Sequence, residues 1–191
     1  MAGRVRPVDG EQDDAALVRL ALAGRQSAYS ALMGRHRDAV FRLARNHLGS
    51  EADAFDVTQE CFVSAFTALA RYDPERSLRS WLLRIALNKC HDWARRRAVR
   101  RLFAFARPLD EALDVADLAP DPEAALHSAR AVAEIRRAIA ALPVQLKEPL
   151  LLCTIEGLGQ DEAAAVLGTS RKAVETRIYR ARRKLSELLE G

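Results

Sequence analysis

Apolar residues recur along most of this chain at steps of three and four. Tyr29, Leu32, Val40, Leu43 and Ala44 approximate one helical face. Ala54, Cys61, Ala65 and Leu69 make another, and Val174, Ile178, Ala181, Leu185 and Leu188 a third, each expected to pack inward. No run of β-branched residues alternates as a strand would, and the helix formers Ala and Leu abound. The pattern predicts an all-α protein. Asp13 or Asp14 can cap a first short helix that ends at Gly24. A second starts near Ser27 and stops at Gly49, a third spans about Asp53 to Arg71, and Pro74 breaks the pattern before a fourth begins near Leu78. These four make one compact helical domain over residues 13–107, after a loose leader at 1–12.

The proline-bounded stretch "PLDEALDVADLAPDP" has weak periodicity, so residues 108–123 read as an acidic flexible linker. A second domain, 124–191, opens with a helix that stops at Leu142–Pro143. The next starts near Leu146 and ends at Gly157, and Pro149 is tolerable in it only within the first turn. Then "QDEAAAVLG" makes a short helix, Gly168-Thr169-Ser170 a tight turn, and Ser170 caps a long last helix. Helix, glycine-containing turn and helix is the helix-turn-helix layout. The fold class expected is two small helical domains on an acidic linker, the C-terminal one a helix-turn-helix.

Charge sharpens this. The 191 residues carry a formal net charge of +4, with 29% charged residues. Arginines crowd Arg95 to Arg107 and again Arg171 to Lys184, while Pro108 to Ala129 holds acids and no Lys or Arg. Two basic zones flanking an acidic spacer fit nucleic-acid binding better than uniform solubility charge. Cys61, Cys90 and Cys153 are odd in number and far apart, so free thiols are the expectation. There is no signal-peptide core and no apolar run of bilayer length, which points to the cytoplasm. No nucleophile–base pair, phosphate-cradling glycine loop or metal cluster is visible. No catalytic residue, metal, cofactor or small-molecule substrate is expected, and His36 and His47 read as surface or packing residues.

The stretch "RIALNKCHDWARRR" is less ordinary. Arg84, Asn88, His91 and Arg95 stack on one side of its helix, opposite Trp81, Leu82, Ile85, Ala86 and Trp93. On the last helix the first turns expose Arg171, Lys172, Glu175 and Thr176, with Arg177 and Arg180 following. Arg and Lys suit guanine edges or phosphates, Thr a base or phosphate, and Glu175 a cytosine amino group or a neighbouring arginine.

Together these segments resemble a bacterial sigma factor of the extracytoplasmic-function (ECF) group, in the sigma-70 superfamily. "DVTQECF" resembles its D-x-x-Q-E-x-F helix, and "SLRSWLLRIALNKCHDWARRR" its T-W-L-x-R-I-A-x-N-x-x-x-D-x-x-R-R-R segment. "LPVQLKEPLLLCTIEGLGQDEAAAVLGTSRKAVETRIYRARRKL" resembles its C-terminal helix-turn-helix domain. The resemblance implies core RNA polymerase and promoter DNA as partners. The N-terminal domain would hold polymerase and open the −10 element, and the C-terminal domain would read the −35 element. An anti-sigma protein, often membrane-bound, would hold such a factor inactive, and the linker would pass near the polymerase RNA-exit path. Carried over by motif, Asp56, Gln59, Glu60 and Phe62 contact polymerase. Tyr72, Arg84, Asn88, His91, Arg95 and Arg96 serve the −10 element, with Tyr72 to Ser80 as the loop that takes a flipped base. Arg171, Lys172, Glu175, Thr176, Arg177 and Arg180 serve the −35 element.

Three residues depart from the family's pattern. Gly159 replaces a capping Ser or Thr, at a cost of only about a few tenths of a kcal/mol. Pro149 replaces an aliphatic, and Glu175 a frequent Lys or Arg. The rival reading is a stand-alone dimeric regulator that binds operator DNA. It would need a sizeable apolar dimer face, whereas the apolar faces here are used up by two small cores. An RNA-binding helical protein is a third reading, without an aromatic recognition motif to support it.

Overall fold

The computed structural model describes the backbone of residues 9–104 and 123–190. The described residues form α1 (Asp9–Leu22), α2 (Gln26–Leu48), α3 (Glu51–Thr67), α4 (Leu78–Ala104), α5 (Glu123–Ala141), α6 (Val144–Leu150), α7 (Gln160–Leu167) and α8 (Arg171–Glu190). A 3-10 turn, Leu69–Arg71, follows α3, and a π-helical turn, Leu151–Ile155, follows α6. No strand occurs among the described residues.

Helix α1 begins inside the expected leader, and Asp14 does not cap it. Asp14 lies within the helix, buried, with Oδ2 2.7 Å from His36 Nε2 and Oδ1 accepting a 3.0 Å bond from Arg35. Its partners on α2 override its local preference for a helix start. Gly49 ends α2 at φ 75°, and the next residue starts α3: the Ser50 hydroxyl accepts from the Asp53 amide at 3.3 Å. That cap sets the start of α3 two residues earlier than periodicity alone suggested.

Helices α2, α3 and α4 pack around Leu32, Leu43, Cys61, Leu69 and Leu83, all at most 2% exposed. Each contributes a stripe of i, i+3 and i+4 positions, so the bundle interior is the sum of three amphipathic faces.

In the C-terminal domain, α6 begins at Val144, earlier than expected, so Pro149 falls in its second turn. Proline has no N–H to donate and its ring crowds the carbonyl four residues back. The ladder widens directly afterwards, where the Glu156 amide bonds the Leu151 carbonyl five residues back. Gly168 at φ 62° ends α7, and the Ser170 hydroxyl accepts from the Ala173 amide at 3.2 Å to start α8. Val174, Ile178 and Ala181 are buried as expected; Leu188 is not, at 42% exposure.

The expected linker lies outside the described residues except Glu123, which begins α5. The two domains do not keep separate cores. One apolar cluster runs from Val18 through Leu83, Leu142 and Leu151 to Ala181. Helix α5 packs on α2, and α7 on α4. A Cβ built on Gly49 would lie 2.9 Å from the Ala140 Cβ, so glycine there serves both the turn and the packing.

Candidate nucleic-acid interface

Three surfaces carry the residues singled out in the sequence. On α3, Asp56 and Gln59 are exposed, and Glu60 is half-buried and accepts from Arg96 at 3.0 and 3.1 Å. Val63, beside them, is 68% exposed. Phe62 departs from the expectation. It is 3% exposed and packs its ring 5.7 Å from that of Phe66, inside the core. At about 100° per residue, Phe62 sits about 120° round the helix from Asp56, and that arithmetic was available from the sequence.

Along α4, Arg84, Asn88, Arg95 and Arg96 are exposed. Arg95 pairs with Asp92, and Arg96 with Glu60 as above, each through one guanidinium nitrogen, so both keep N–H groups to offer a phosphate. Tyr72 packs against Trp81 at a tilt of 54° with ring centroids 5.4 Å apart, and its hydroxyl donates to the Arg76 carbonyl. It closes the core edge beneath the loop Tyr72 to Ser80.

His91 is half-buried, its ring turned to the C-terminal domain. Its Nε2 bonds Glu148 Oε1 on α6. The same oxygen lies 3.3 Å from His47 Nε2 at the end of α2. The sequence reading therefore missed a cluster; of its two alternatives for His36 and His47, surface or packing, the structure shows packing, with a carboxylate partner for each that the sequence did not show. Burial pushes the His47 pKa below its ordinary value, against the pull of Glu148. Burial pushes Glu148 up, but the bonds from His47 and His91 outweigh it and hold the carboxyl below its ordinary range.

Around this cluster the seam between the domains is ionic. Glu156, whose side chain is fully buried, accepts from Arg42 at 2.9 and 2.7 Å and from Arg79 at 2.9 Å. The carboxylate bond holds the Arg42 guanidinium above its ordinary pKa. Lys147 donates to the carbonyls of His47 and Ala140 at 2.9 and 2.6 Å, and burial lowers its pKa. Ser80 bonds Glu162 on α7. A signal for part of this existed: Lys147 and Glu148 interrupt the apolar run of α6 and stand four residues before Leu151 and Leu152, on the inward side.

The third surface is the start of α8. Arg171, Lys172, Glu175, Thr176 and Arg180 are exposed and Arg177 half-buried, over the buried Val174 and Ile178. Arg171 pairs with Asp161 at 3.2 Å on α7. The cysteines make no site: burial pushes the Cys61 thiol up to about 12, Cys90 is raised too, and Cys153 is half-buried.

Residues 32–117 match the Sigma-70 region 2 family and residues 133–185 match Sigma-70, region 4. The chain belongs to the sigma-70 family of RNA polymerase sigma factors. It is 42% identical to the RNA polymerase sigma factor CnrH of Cupriavidus metallidurans, over 95% of this chain and 96% of that one. It is 35% identical to the ECF RNA polymerase sigma factor SigE of Mycolicibacterium smegmatis, over 85% of this chain and 62% of the relative. The solved structure of CnrH in complex with the cytosolic domain of CnrY is similar at a TM-score of 0.67 and 38% identity, covering 93% of this chain and 97% of that one. The chain is thus a sigma factor of the ECF type, and the all-helical architecture expected from periodicity is that of its relatives. No helix among the described residues is long and apolar enough to cross a membrane.

Proposed function

We propose that this sigma factor docks on core RNA polymerase through the α3 face of Asp56, Gln59 and Glu60, with Val63 beside them, and engages promoter DNA with two further surfaces. The exposed stripe of Arg84 and Asn88 on α4 meets the −10 element. Asn88 offers a donor and an acceptor to a base edge, Arg84 charge to phosphate. The first turns of α8 enter the major groove at the −35 element. Catalysis belongs to the polymerase, and the protein works in the cytoplasm. An anti-sigma protein is the expected inhibitor, in line with the partner-bound state named for CnrH.

The observation that carries this reading is the basic start of α8, held outward by buried Val174, Ile178 and Ala181 in a capped helix-turn-helix. Span adds a requirement. Elements about 25 base pairs apart lie roughly 85 Å apart at 3.4 Å per step. Two domains each about 30 Å across and packed side by side reach only about 60 Å. The packed arrangement must open, and residues 108–123 can extend to about 55 Å at ~3.4 Å per residue.

Run-off transcription with core polymerase on a promoter library tests the reading. Promoter-specific initiation is expected. Tight duplex binding by the protein alone, with no gain of initiation, would favour the operator-binding regulator instead. Within the sigma reading, Asn88→Ala reduces open-complex formation and spares polymerase affinity. Equal loss of both would mean that Asn88 supports the fold.

A further inference from the structure

We propose that His47, His91 and Glu148 form a binding site for one divalent transition-metal ion, and that the bound ion ties the C-terminal domain to the N-terminal one. The three residues come from α2, α4 and α6, and their ligand atoms all lie within 4.8 Å of one another. The two imidazole rings stand 5.8 Å apart, and both Nε2 atoms converge on the same carboxylate oxygen. Two imidazole nitrogens and one carboxylate are the donors of an open zinc site. The set also suits cobalt, nickel and copper, whereas magnesium and calcium take oxygen ligands. Bonds of about 2.0–2.1 Å in a tetrahedron separate ligand atoms by roughly 3.3 Å, so small side-chain shifts would seat the ion where protons now hold the cluster together. His47 and Glu148 are buried, and His91, with 39% of its side chain exposed, forms the rim through which an ion and a completing water would enter.

The surroundings set the strength. The Lys147 ammonium lies beside the cluster, and His47 Nδ1 has no hydrogen-bond partner, so the usual outer support of a ligating histidine is missing. The site is therefore reversible rather than a permanent structural one. Because its ligands straddle the seam, occupancy favours the packed arrangement, in which His91 and Arg79 on α4 and Ser80 face the C-terminal domain.

The test uses untagged full-length protein stripped with a chelator and titrated with Co2+, then competed with Zn2+. Expected are one equivalent of saturable binding with visible ligand-field absorption, displacement by Zn2+, and at least a tenfold loss of affinity in His91→Ala and in Glu148→Gln. Helicity by circular dichroism, unchanged in His91→Ala, separates lost ligation from lost fold. Zn2+ should also slow limited proteolysis of the wild type but not of His91→Ala. Equal binding by wild type and His91→Ala, or no saturable binding, would reduce the cluster to hydrogen bonds alone. Binding without altered proteolysis would overturn the tie between domains.

Discussion

The interior of the N-terminal bundle and the seam between the domains are both buried, yet they are built from different groups. The bundle interior is Leu32, Leu43, Leu83 and Cys61, with nothing to gain from water. The seam continues the apolar cluster through Leu142 and Leu151 but adds Glu148, Glu156, Lys147, His47 and Arg42. A buried ion pair roughly breaks even against an apolar pair of the same shape, while a broken one is costly. Apolar packing thus holds each domain and part of the seam, and the ionic groups give the packed arrangement a single register while adding little net free energy of their own. That suits the opening of the two domains proposed above.

The largest expected effect comes from the interior. Leu83→Ala, at a position with no exposure, should cost about 2–5 kcal/mol through lost burial and the cavity left behind. Urea unfolding followed by helicity measures it. A loss below about 1 kcal/mol would mean that the bundle interior is as adjustable as the seam. Glu156→Ala should act next, and elsewhere. It deletes the acceptor of three bonds but leaves Arg42 and Arg79, which are 40% and 36% exposed and can hydrate. Discounted for that solvent access, closure should lose on the order of 1–2 kcal/mol. Scattering should report a larger radius of gyration and an unchanged unfolding midpoint for the N-terminal domain. An unfolded variant would show instead that the seam is part of the fold.

Acid should weaken the seam before the bundle. His47 has its folded pKa below the ordinary 6.5, so its contribution is present above that value and is lost as pH falls through the folded pKa. Glu148 is also depressed, below its ordinary 4.5, so its contribution too is lost as pH falls through the folded value. Both signs agree: closure declines on the acid side of neutrality, in two stages, and does not decline toward pH 8. Scattering at constant ionic strength across that range checks it, with Glu148→Gln expected to remove the lower stage.

What the sequence shows and what it hides divide along the same line. Periodicity reveals α2, α4 and α8 because each stripe is local, and Ser170 and Gly168 announce the turn of the helix-turn-helix by their own chemistry. The seam is non-local. His47 and Glu148 are 101 positions apart and Arg42 and Glu156 are 114 apart, so neither partner marks the other. Asp14 misled for that reason: its cap-like position is local, its His36 partner is not. Phe62 and the charged Lys147–Glu148 pair were legible in principle, since helical geometry turns all three inward.

The smallest effect expected is a null coupling. The start of α8 is exposed while the domains are packed, and neither Arg42, Arg79 nor Glu156 lies on it. Duplex carrying only a −35 element should therefore bind the packed and opened forms alike. Arg177→Ala should weaken that binding and lower the salt slope by about 1, the loss of one phosphate contact. The same decrement is expected in the Glu156→Ala background, additive to within about 0.5 kcal/mol. A larger coupling energy in this double-mutant cycle would mean that closing the seam also governs the −35 surface. The packed arrangement would then restrain the −35 contact.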